Sequence, residues 1–205
     1  MFLEWFKANM IVIGLTGSIG MGKTTAAGML RGFKVPVCDS DALVHGFLGR
    51  GGAAVDRVSR AFRGVSQGGG IDRNALGRLV FGNQEELKKL ETILHPMVKA
   101  AQFKFLRRCQ ATRVKLAVLD VPLLFEVGTN KLCDVIIVVS APPFLQEQRV
   151  LGRPGMTKKR LSATLDRQLS NEEKCRSADF VVQTGANKRD TMNRLGKIVR
   201  GLCSK

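Results

Sequence analysis

Short apolar runs alternate with helix-length segments along the chain. The first run, Met10 to Leu15, is continuous and rich in β-branched residues, which is typical of a parallel strand covered on both faces. Similar runs follow at Val35 to Cys38, Leu116 to Leu119, Val135 to Val139 and Phe180 to Val182. This alternation predicts an α/β fold with a five-stranded parallel sheet.

Two further patterns complete the predicted architecture. Near the C-terminus, Met192, Leu195, Val199 and Leu202 follow one another at spacings of 3, 4 and 3, which predicts an amphipathic helix that closes one side of the sheet. From Gly49 to Arg108 there is no strong strand signal, and glycine-rich turns separate polar segments of helical character. We interpret this stretch as an inserted, helical substrate-binding region.

Composition and charge limit the class of protein. The 205 residues, 44% of them apolar, are enough for one domain with a good core, and no run approaches the ~20 apolar residues of a membrane span. Residues 1–9 lack the cleavage pattern of a secretory signal and are expected to form a short N-terminal extension. The five cysteines form no C-x-x-C pair, and there are two histidines, which argues against a zinc site and favours reduced thiols in the cytoplasm.

The formal net charge of +16 indicates a polyanionic partner, either nucleic acid or a small ligand rich in phosphate. The basic residues are scattered, and Lys158-Lys159-Arg160, the densest run, is best explained as a solvated helix face. No recognisable nucleic-acid module accompanies them, so we expect small-molecule substrates and no nucleic acid.

The strongest chemical signal is a match to G-x-x-x-x-G-K-[ST] directly after the first predicted strand. We expect this loop and the helix after it to bind the phosphates of ATP, with Lys23 on the β- and γ-phosphates and the Thr24 hydroxyl on Mg²⁺. The alternative is a chance glycine-rich turn. The predicted nucleotide-binding residues are Gly17, Ser18, Ile19, Gly20, Met21, Gly22, Lys23, Thr24 and Thr25.

Carboxylates follow two other predicted strands. Asp39 and Asp41 come after the second strand, at the sheet edge where we expect the phosphate site. We assign the chemistry, proton acceptance from a substrate hydroxyl, to Asp39 and the capping of the next helix to Asp41. Asp120 ends an apolar strand, as a magnesium-binding carboxylate does in some phosphate-loop proteins, although many buried strands end in Asp for reasons of turn geometry. The segment Val121 to Glu126 then adds an apolar wall and one carboxylate.

Taken in order, these residues resemble the dephospho-CoA kinase family from Met10 to near the end of the chain. Besides the phosphate loop, the resemblance rests on Asp39-Ser40-Asp41, Asp72-Arg73, Val80-Phe81, His95-Pro96, Asp120 to Glu126, Gln146, Arg149, Arg153, Gln168 and Ala178 to Val182. The family often has an asparagine where Gln183-Thr184-Gly185 follows the last strand here.

The resemblance implies transfer of the γ-phosphoryl group of ATP to the ribose 3′-hydroxyl of dephospho-CoA. Asp39 matches the family's base, with Lys23 and Arg153 as further catalytic residues. Arg149 and Arg153 belong to a mobile lid over ATP, although Gln146 and Arg149 also fit the polar face of an ordinary helix. The residues implied for the acceptor are Arg73, His95, Leu123, Leu124 and Glu126; the alternative for His95 is a capping or buried histidine beside Pro96.

The fold implied by the resemblance is a three-layer α/β/α phosphate-loop kinase. We expect one kinase domain over residues 10–205, with a core of residues 10–48 and 110–205. The helical substrate-binding region covers about residues 49–109 and the lid about residues 149–160. A monomer is expected. The alternatives are another small-molecule or nucleoside monophosphate kinase and, from a different class, a nucleic-acid-stimulated NTPase.

Overall fold

The computed structural model describes residues 10–204. The predicted N-terminal extension, residues 1–9, lies outside the described residues. The described chain divides into two compact units: the first comprises residues up to Cys38 and from Leu106 onward, and the second comprises Asp39–Phe105. No helix within residues 10–204 is long and apolar enough to cross a membrane.

The five-stranded sheet has the order β2-β5-β1-β6-β7. Its strands are β1 (Ile11–Thr16), β2 (Val37–Asp39), β5 (Leu116–Asp120), β6 (Val135–Ser140) and β7 (Phe180–Gln183). β1 pairs in parallel with β5 and β6, and β6 pairs in parallel with β7. All five strands overlap the predicted apolar runs, with β2 beginning two residues later and ending one residue later than predicted, so the predicted α/β fold is confirmed.

Alternate residues of the strands pack on opposite faces of this sheet. On one face, Ile13, Leu15 and Ile137 form a core with the helices α1 (Lys23–Gly32) and α9 (Lys188–Cys203). On the other face, a Cβ at Gly14 would lie 2.8 Å from Cys133 Sγ, so glycine admits the close approach of that side chain. The sheet is therefore covered on both sides, as its continuous apolar strands require.

The predicted C-terminal helix is α9, with one correction to its buried stripe. Leu195, Val199 and Leu202 are buried as predicted, but Met192 is 44% exposed. Thr191 is buried in its place, because the packed face continues from Leu195 by one full turn back to residue 191.

Three further helices of the first unit lie between β6 and β7 in the sequence. They are α6 (Pro143–Leu151), α7 (Lys158–Leu165) and α8 (Asn171–Arg176), and a 3₁₀-helix (Thr129–Leu132) precedes β6. The turn between α6 and α7 coincides with the centre of the predicted lid.

The second unit has its own core around Val58, Val65 and Leu90. Its helices are α2 (Ser40–Leu48), α3 (Val55–Ala61), α4 (Arg73–Val80) and the first part of α5 (Gln84–Ala111), which continues into the first unit. The prediction that this region contains only helices is wrong at one place. There, β3 (Ser66–Gln67) and β4 (Gly70–Ile71) form a short antiparallel hairpin. Its two turn glycines, 68 and 69, both have positive φ, which suits a two-residue hairpin turn.

Candidate active site

A glycine-rich loop joins β1 to α1 and forms the N-terminus of that helix. Gly22 is the N-cap with φ +87°, a left-handed conformation that strains any residue with a Cβ. At Gly17 a Cβ would lie 2.5 Å from Val139 Cγ2, so only glycine fits between the loop and β6. The described helix has no side-chain cap and no acidic residue in its first turn, which leaves its N–H groups available to an anion.

Lys23 and Asp120 form an ion pair beside this loop. Lys23 Nζ lies 2.5 Å from Asp120 Oδ1, and the two side chains are 13% and 2% exposed. The pair forms because Asp120 is the last residue of β5 and is in register with Leu15 of β1, just before the loop. The two predicted site residues therefore lie together, in a setting of low exposure where their attraction is strong.

Thr24 and Thr25 lie in the first turn of α1 and are exposed. Their hydroxyls are at the helix end where an anion with its metal would bind. Within the described residues there is no cluster of three or more His, Cys, Asp or Glu side chains that could hold a metal ion.

Side chains from distant parts of the chain hold the backbone of the loop in place. Ile19 is bound on both sides: Gln146 Nε2 donates to its carbonyl at 2.8 Å, and its N–H donates to Gln168 Oε1 at 3.2 Å. The Thr184 hydroxyl donates to the Met21 carbonyl at 2.7 Å. The sequence indicates Gln146 and Gln168 only through the resemblance, and Thr184 only as a departure from it. It does not predict the contacts of these three residues with the loop.

Arg149 is anchored to the same loop. Its guanidinium donates to the Thr184 carbonyl at 2.8 Å, to the Thr184 hydroxyl at 3.3 Å and to the Gly20 carbonyl at 3.4 Å. Arg153 lies two residues beyond the end of α6 and is exposed. The two predicted lid arginines thus have different settings, one fixed against the phosphate loop and the other in an exposed turn.

Asp39 is the N-cap of α2, and this corrects the assignment of the cap to Asp41. Asp39 has an extended backbone and its Oδ1 accepts the Ala42 N–H at 3.0 Å, whereas Asp41 lies in the first turn of the helix. The reason is that β2 ends at Asp39 and α2 starts at Ser40, which leaves no linker for a later cap. The predicted base therefore has a structural role as well.

The other predicted acceptor-binding residues of the second unit, Arg73 and His95, are both exposed. Arg73 is the first residue of α4, directly after the N-cap Asp72, and His95 precedes Pro96 within α5. His95 is therefore not a buried core histidine.

In the first unit, the segment after β5 offers three different environments. Leu123 is half-buried, whereas Leu124 is fully buried against Gly14 and belongs to the core. Glu126 has a side chain that is 16% exposed and paired at 2.9 Å with Lys174, which is itself fully buried. No sequence pattern predicts that Lys174 is buried, because a lysine beside two glutamates is typical of an exposed helix position.

The family model and the two curated relatives described here agree on one family. The dephospho-CoA kinase family model matches residues 11–190. A dephospho-CoA kinase of Paramagnetospirillum magneticum is 55% identical over 165 residues, covering 80% of this chain and 78% of the relative. One of Rhodospirillum rubrum is 52% identical over 186 residues, covering 90% and 88%. A crystal structure of a Thermus thermophilus protein superposes with a TM-score of 0.81 at 34% identity, covering 94% of this chain and 97% of the other.

Proposed function

Because the chain belongs to the dephospho-CoA kinase family, we propose that it transfers the γ-phosphoryl group of ATP to the ribose 3′-hydroxyl of dephospho-CoA, giving CoA and ADP. The observation that carries this proposal is the family match over residues 11–190, which includes both the phosphate loop and the segment Pro122–Glu126. Many proteins share a phosphate loop, so the acceptor has to be argued from the rest of the match.

In this proposal, the loop from Gly17 to Thr25 holds the phosphates of ATP with its N–H groups. Lys23 moves its ammonium from Asp120 toward the β- and γ-phosphates, where it balances the charge of the transferred group. Arg149 keeps the loop and Thr184 together, and Arg153 closes over ATP from the exposed turn.

The oxygen donors beside the loop fit Mg²⁺, which takes one or two protein oxygens and completes its shell with water and phosphate. We assign the Thr24 hydroxyl and the Asp120 carboxylate to the ion. When bound, Mg²⁺ would neutralise negative charge on the phosphates. Asp120 would therefore pair with Lys23 in the free enzyme and hold the ion once ATP is bound.

The acceptor hydroxyl is activated by Asp39. Its oxygen forms a bond to the γ-phosphorus, the bond from that phosphorus to the bridging oxygen of ADP breaks, and the hydroxyl proton passes to the Asp39 carboxylate. The capping bond uses Oδ1, and a carboxylate has two oxygens and about four acceptor sites. Capping and proton acceptance are therefore compatible in one residue.

We propose the remaining acceptor contacts from the residues that resemble the family's. Arg73 and His95 are exposed cationic or polar groups suited to the phosphates of dephospho-CoA. Leu123 and Glu126 line the acceptor, while Leu124, being buried, supports that surface from within the core. We propose a monomeric cytoplasmic enzyme with small-molecule substrates and no nucleic-acid or membrane partner; the five thiols are reduced.

A coupled assay of ADP release tests the reaction. It contains ATP, Mg²⁺ and dephospho-CoA, and runs beside nucleosides, nucleoside monophosphates, shikimate and single-stranded polynucleotide. We expect saturable ADP release with dephospho-CoA and a product of the mass of CoA. The Asp39→Asn variant is the informative control, since Lys23→Ala abolishes activity in any phosphate-loop enzyme.

Two outcomes contradict the proposal in different ways. Turnover with another small acceptor and none with dephospho-CoA retains a kinase and rejects the acceptor. Polynucleotide-stimulated hydrolysis that falls steeply with salt favours the alternative drawn from the charge of +16.

A further inference from the structure

Lys174 is a fully buried lysine, and it has the largest side chain among the fully buried residues of the described chain. Burying an ammonium group is costly unless its charge is paired and its protons are accepted. Lys174 satisfies both conditions: its Nζ lies 2.9 Å from Glu126 Oε1 and 3.1 Å from the Pro122 carbonyl oxygen. An apolar side chain of α8 would fill this space at a much lower desolvation cost.

Both acceptors of Lys174 belong to one segment, Pro122–Glu126, which begins two residues after Asp120. The Pro122 carbonyl also accepts the hydroxyl of Thr16 at 3.0 Å. Thr16 is the last residue of β1 and directly precedes the phosphate loop. Two donors therefore fix one carbonyl, one from the strand that carries the loop and one from α8.

The residues just before α8 also bind both the segment Pro122–Glu126 and the phosphate loop. Glu126 Oε1 accepts the Leu169 N–H at 2.8 Å. The neighbouring Gln168 accepts the N–H of Ile19, inside the phosphate loop, at 3.2 Å. Residues 168–174 thus bind the backbone of the phosphate loop and both ends of the segment Pro122–Glu126.

We propose that Lys174 is a positioning residue for the acceptor: its ammonium group holds the segment Pro122–Glu126 at a fixed position relative to the phosphate loop. This inference rests on the proposed function, in which that segment lines dephospho-CoA. Lys174 is too deeply buried to touch substrate, so it acts through Pro122 and Glu126. A small displacement of this segment reduces the rate of catalysis without changing the chemical groups that contact the acceptor.

The test replaces Lys174 with Met, which keeps the length of the side chain and removes its charge. We expect the KM for dephospho-CoA to rise and kcat to fall, together about 10-fold to 100-fold in kcat/KM. The KM for ATP stays within about twofold, because the ion pair and the hydrogen bond of Lys174 go to Glu126 and Pro122, outside the phosphate loop. Lys174→Arg restores part of the loss, since a guanidinium keeps the charge and the donors.

Lys197→Met is the matched control: Lys197 is exposed on α9, and the same exchange there leaves both KM values unchanged. A purely structural role for Lys174 lowers the melting temperature and leaves the kinetic constants of the folded fraction intact. That result, or equal changes in the KM values for ATP and dephospho-CoA, overturns the proposal.

Two further measurements cover the case in which Lys174→Met does not fold. Thr16→Val removes the other donor to Pro122 and keeps Lys174; we expect the same acceptor-specific rise in KM, and an unchanged value contradicts the proposal. Hydrogen exchange of residues 121–128 is compared between the wild-type chain and Thr16→Val, which lacks one of the two donors to the Pro122 carbonyl; we expect lower protection in the variant, and equal protection in both also contradicts the proposal. This second readout needs no acceptor, so it stays decisive even if the wild-type chain does not phosphorylate dephospho-CoA.

Discussion

The Thr184 hydroxyl donates a hydrogen bond of 2.7 Å to the carbonyl oxygen of Met21, across 163 positions of sequence. Thr184 directly follows β7, and Met21 lies in the phosphate loop beside the N-cap of α1. Because Arg149 of α6 binds the Thr184 hydroxyl and the Gly20 carbonyl, one buried hydroxyl connects the loop, the end of the sheet and α6. The position where the family often has an asparagine therefore supports the loop in this chain.

Thr184→Val is expected to weaken ATP binding. The exchange keeps the shape of the side chain and leaves the buried Met21 carbonyl without its donor, a loss of about 1–3 kcal/mol. We expect the KM for ATP to rise about tenfold, since 1.4 kcal/mol corresponds to a factor of 10, with a smaller change for dephospho-CoA. Thr184→Ser retains the hydroxyl and is the matched control. Equal KM values for ATP in the Val and Ser variants would show that the Thr184 hydroxyl does not support the loop.

Replacing either member of the Lys23–Asp120 pair is expected to change stability as well as activity. Lys23→Met leaves a carboxylate that is 2% exposed without the charge of Lys23, which lowers the free energy of unfolding by a few kcal/mol. Asp120→Asn retains an oxygen that can accept a hydrogen bond from Lys23. We therefore expect this variant to lower the free energy of unfolding less than Lys23→Met does. Both variants lose phosphoryl transfer.

The double variant Lys23→Met/Asp120→Asn separates the two effects. We expect its free energy of unfolding to exceed that of Lys23→Met alone, because no carboxylate then remains at the site of the pair. Urea denaturation of the four proteins completes a double-mutant cycle. Strictly additive changes would contradict an interaction between the two side chains.

The sheet and the phosphate loop were predictable because their signals are local. A strand such as Val135–Ser140 is buried on both faces and so is a continuous apolar run, and the loop has a fixed spacing of glycines and lysine. The contacts of Thr184 and Lys174 are tertiary and leave no mark in a short window of sequence. Met192 shows the limit of periodicity, since a shift of one residue on a helix moves a side chain by about 100° and out of the core.

The dual role that we propose for Asp39, as helix cap and as base, leads to a prediction that two substitutions test. Asn is as good an N-cap as Asp, so Asp39→Asn preserves α2 and the fold while removing the base. We expect turnover to fall about 10²-fold or more with ATP binding retained. Asp39→Ala also removes the cap and is expected to cost about 1 kcal/mol of stability in addition.

Turnover and thermal unfolding of the two variants are measured side by side. The prediction requires the Asn variant to melt close to the wild-type temperature while its turnover is low. An Asn variant with near-normal turnover would show that Asp39 is a cap and not the base.

Cys133 is expected to resist thiol reagents and to make stability fall at alkaline pH. Burial, with a smaller contribution from the nearby charge of Asp134, raises the pKa of this thiol from 9.0 to about 12. Its thiolate, the reactive form, is therefore scarce in the folded protein even at pH 10. Alkylation with iodoacetamide followed by peptide mass spectrometry is expected to modify Cys133 slowly in the folded chain and readily in urea.

The sign of the effect on stability follows from the same shift. Below pH 9 the thiol is protonated in the folded and unfolded states alike, so it adds no pH dependence. Between pH 9 and about 12 the unfolded chain releases this proton and the folded chain keeps it, which favours unfolding by up to about 1.4 kcal/mol per pH unit. Cys133→Ala lacks this contribution, so the stability difference between wild type and variant should shift toward the variant as the pH rises from 9 to 11. A difference that stays constant over that range would show that the thiol titrates alike in both states.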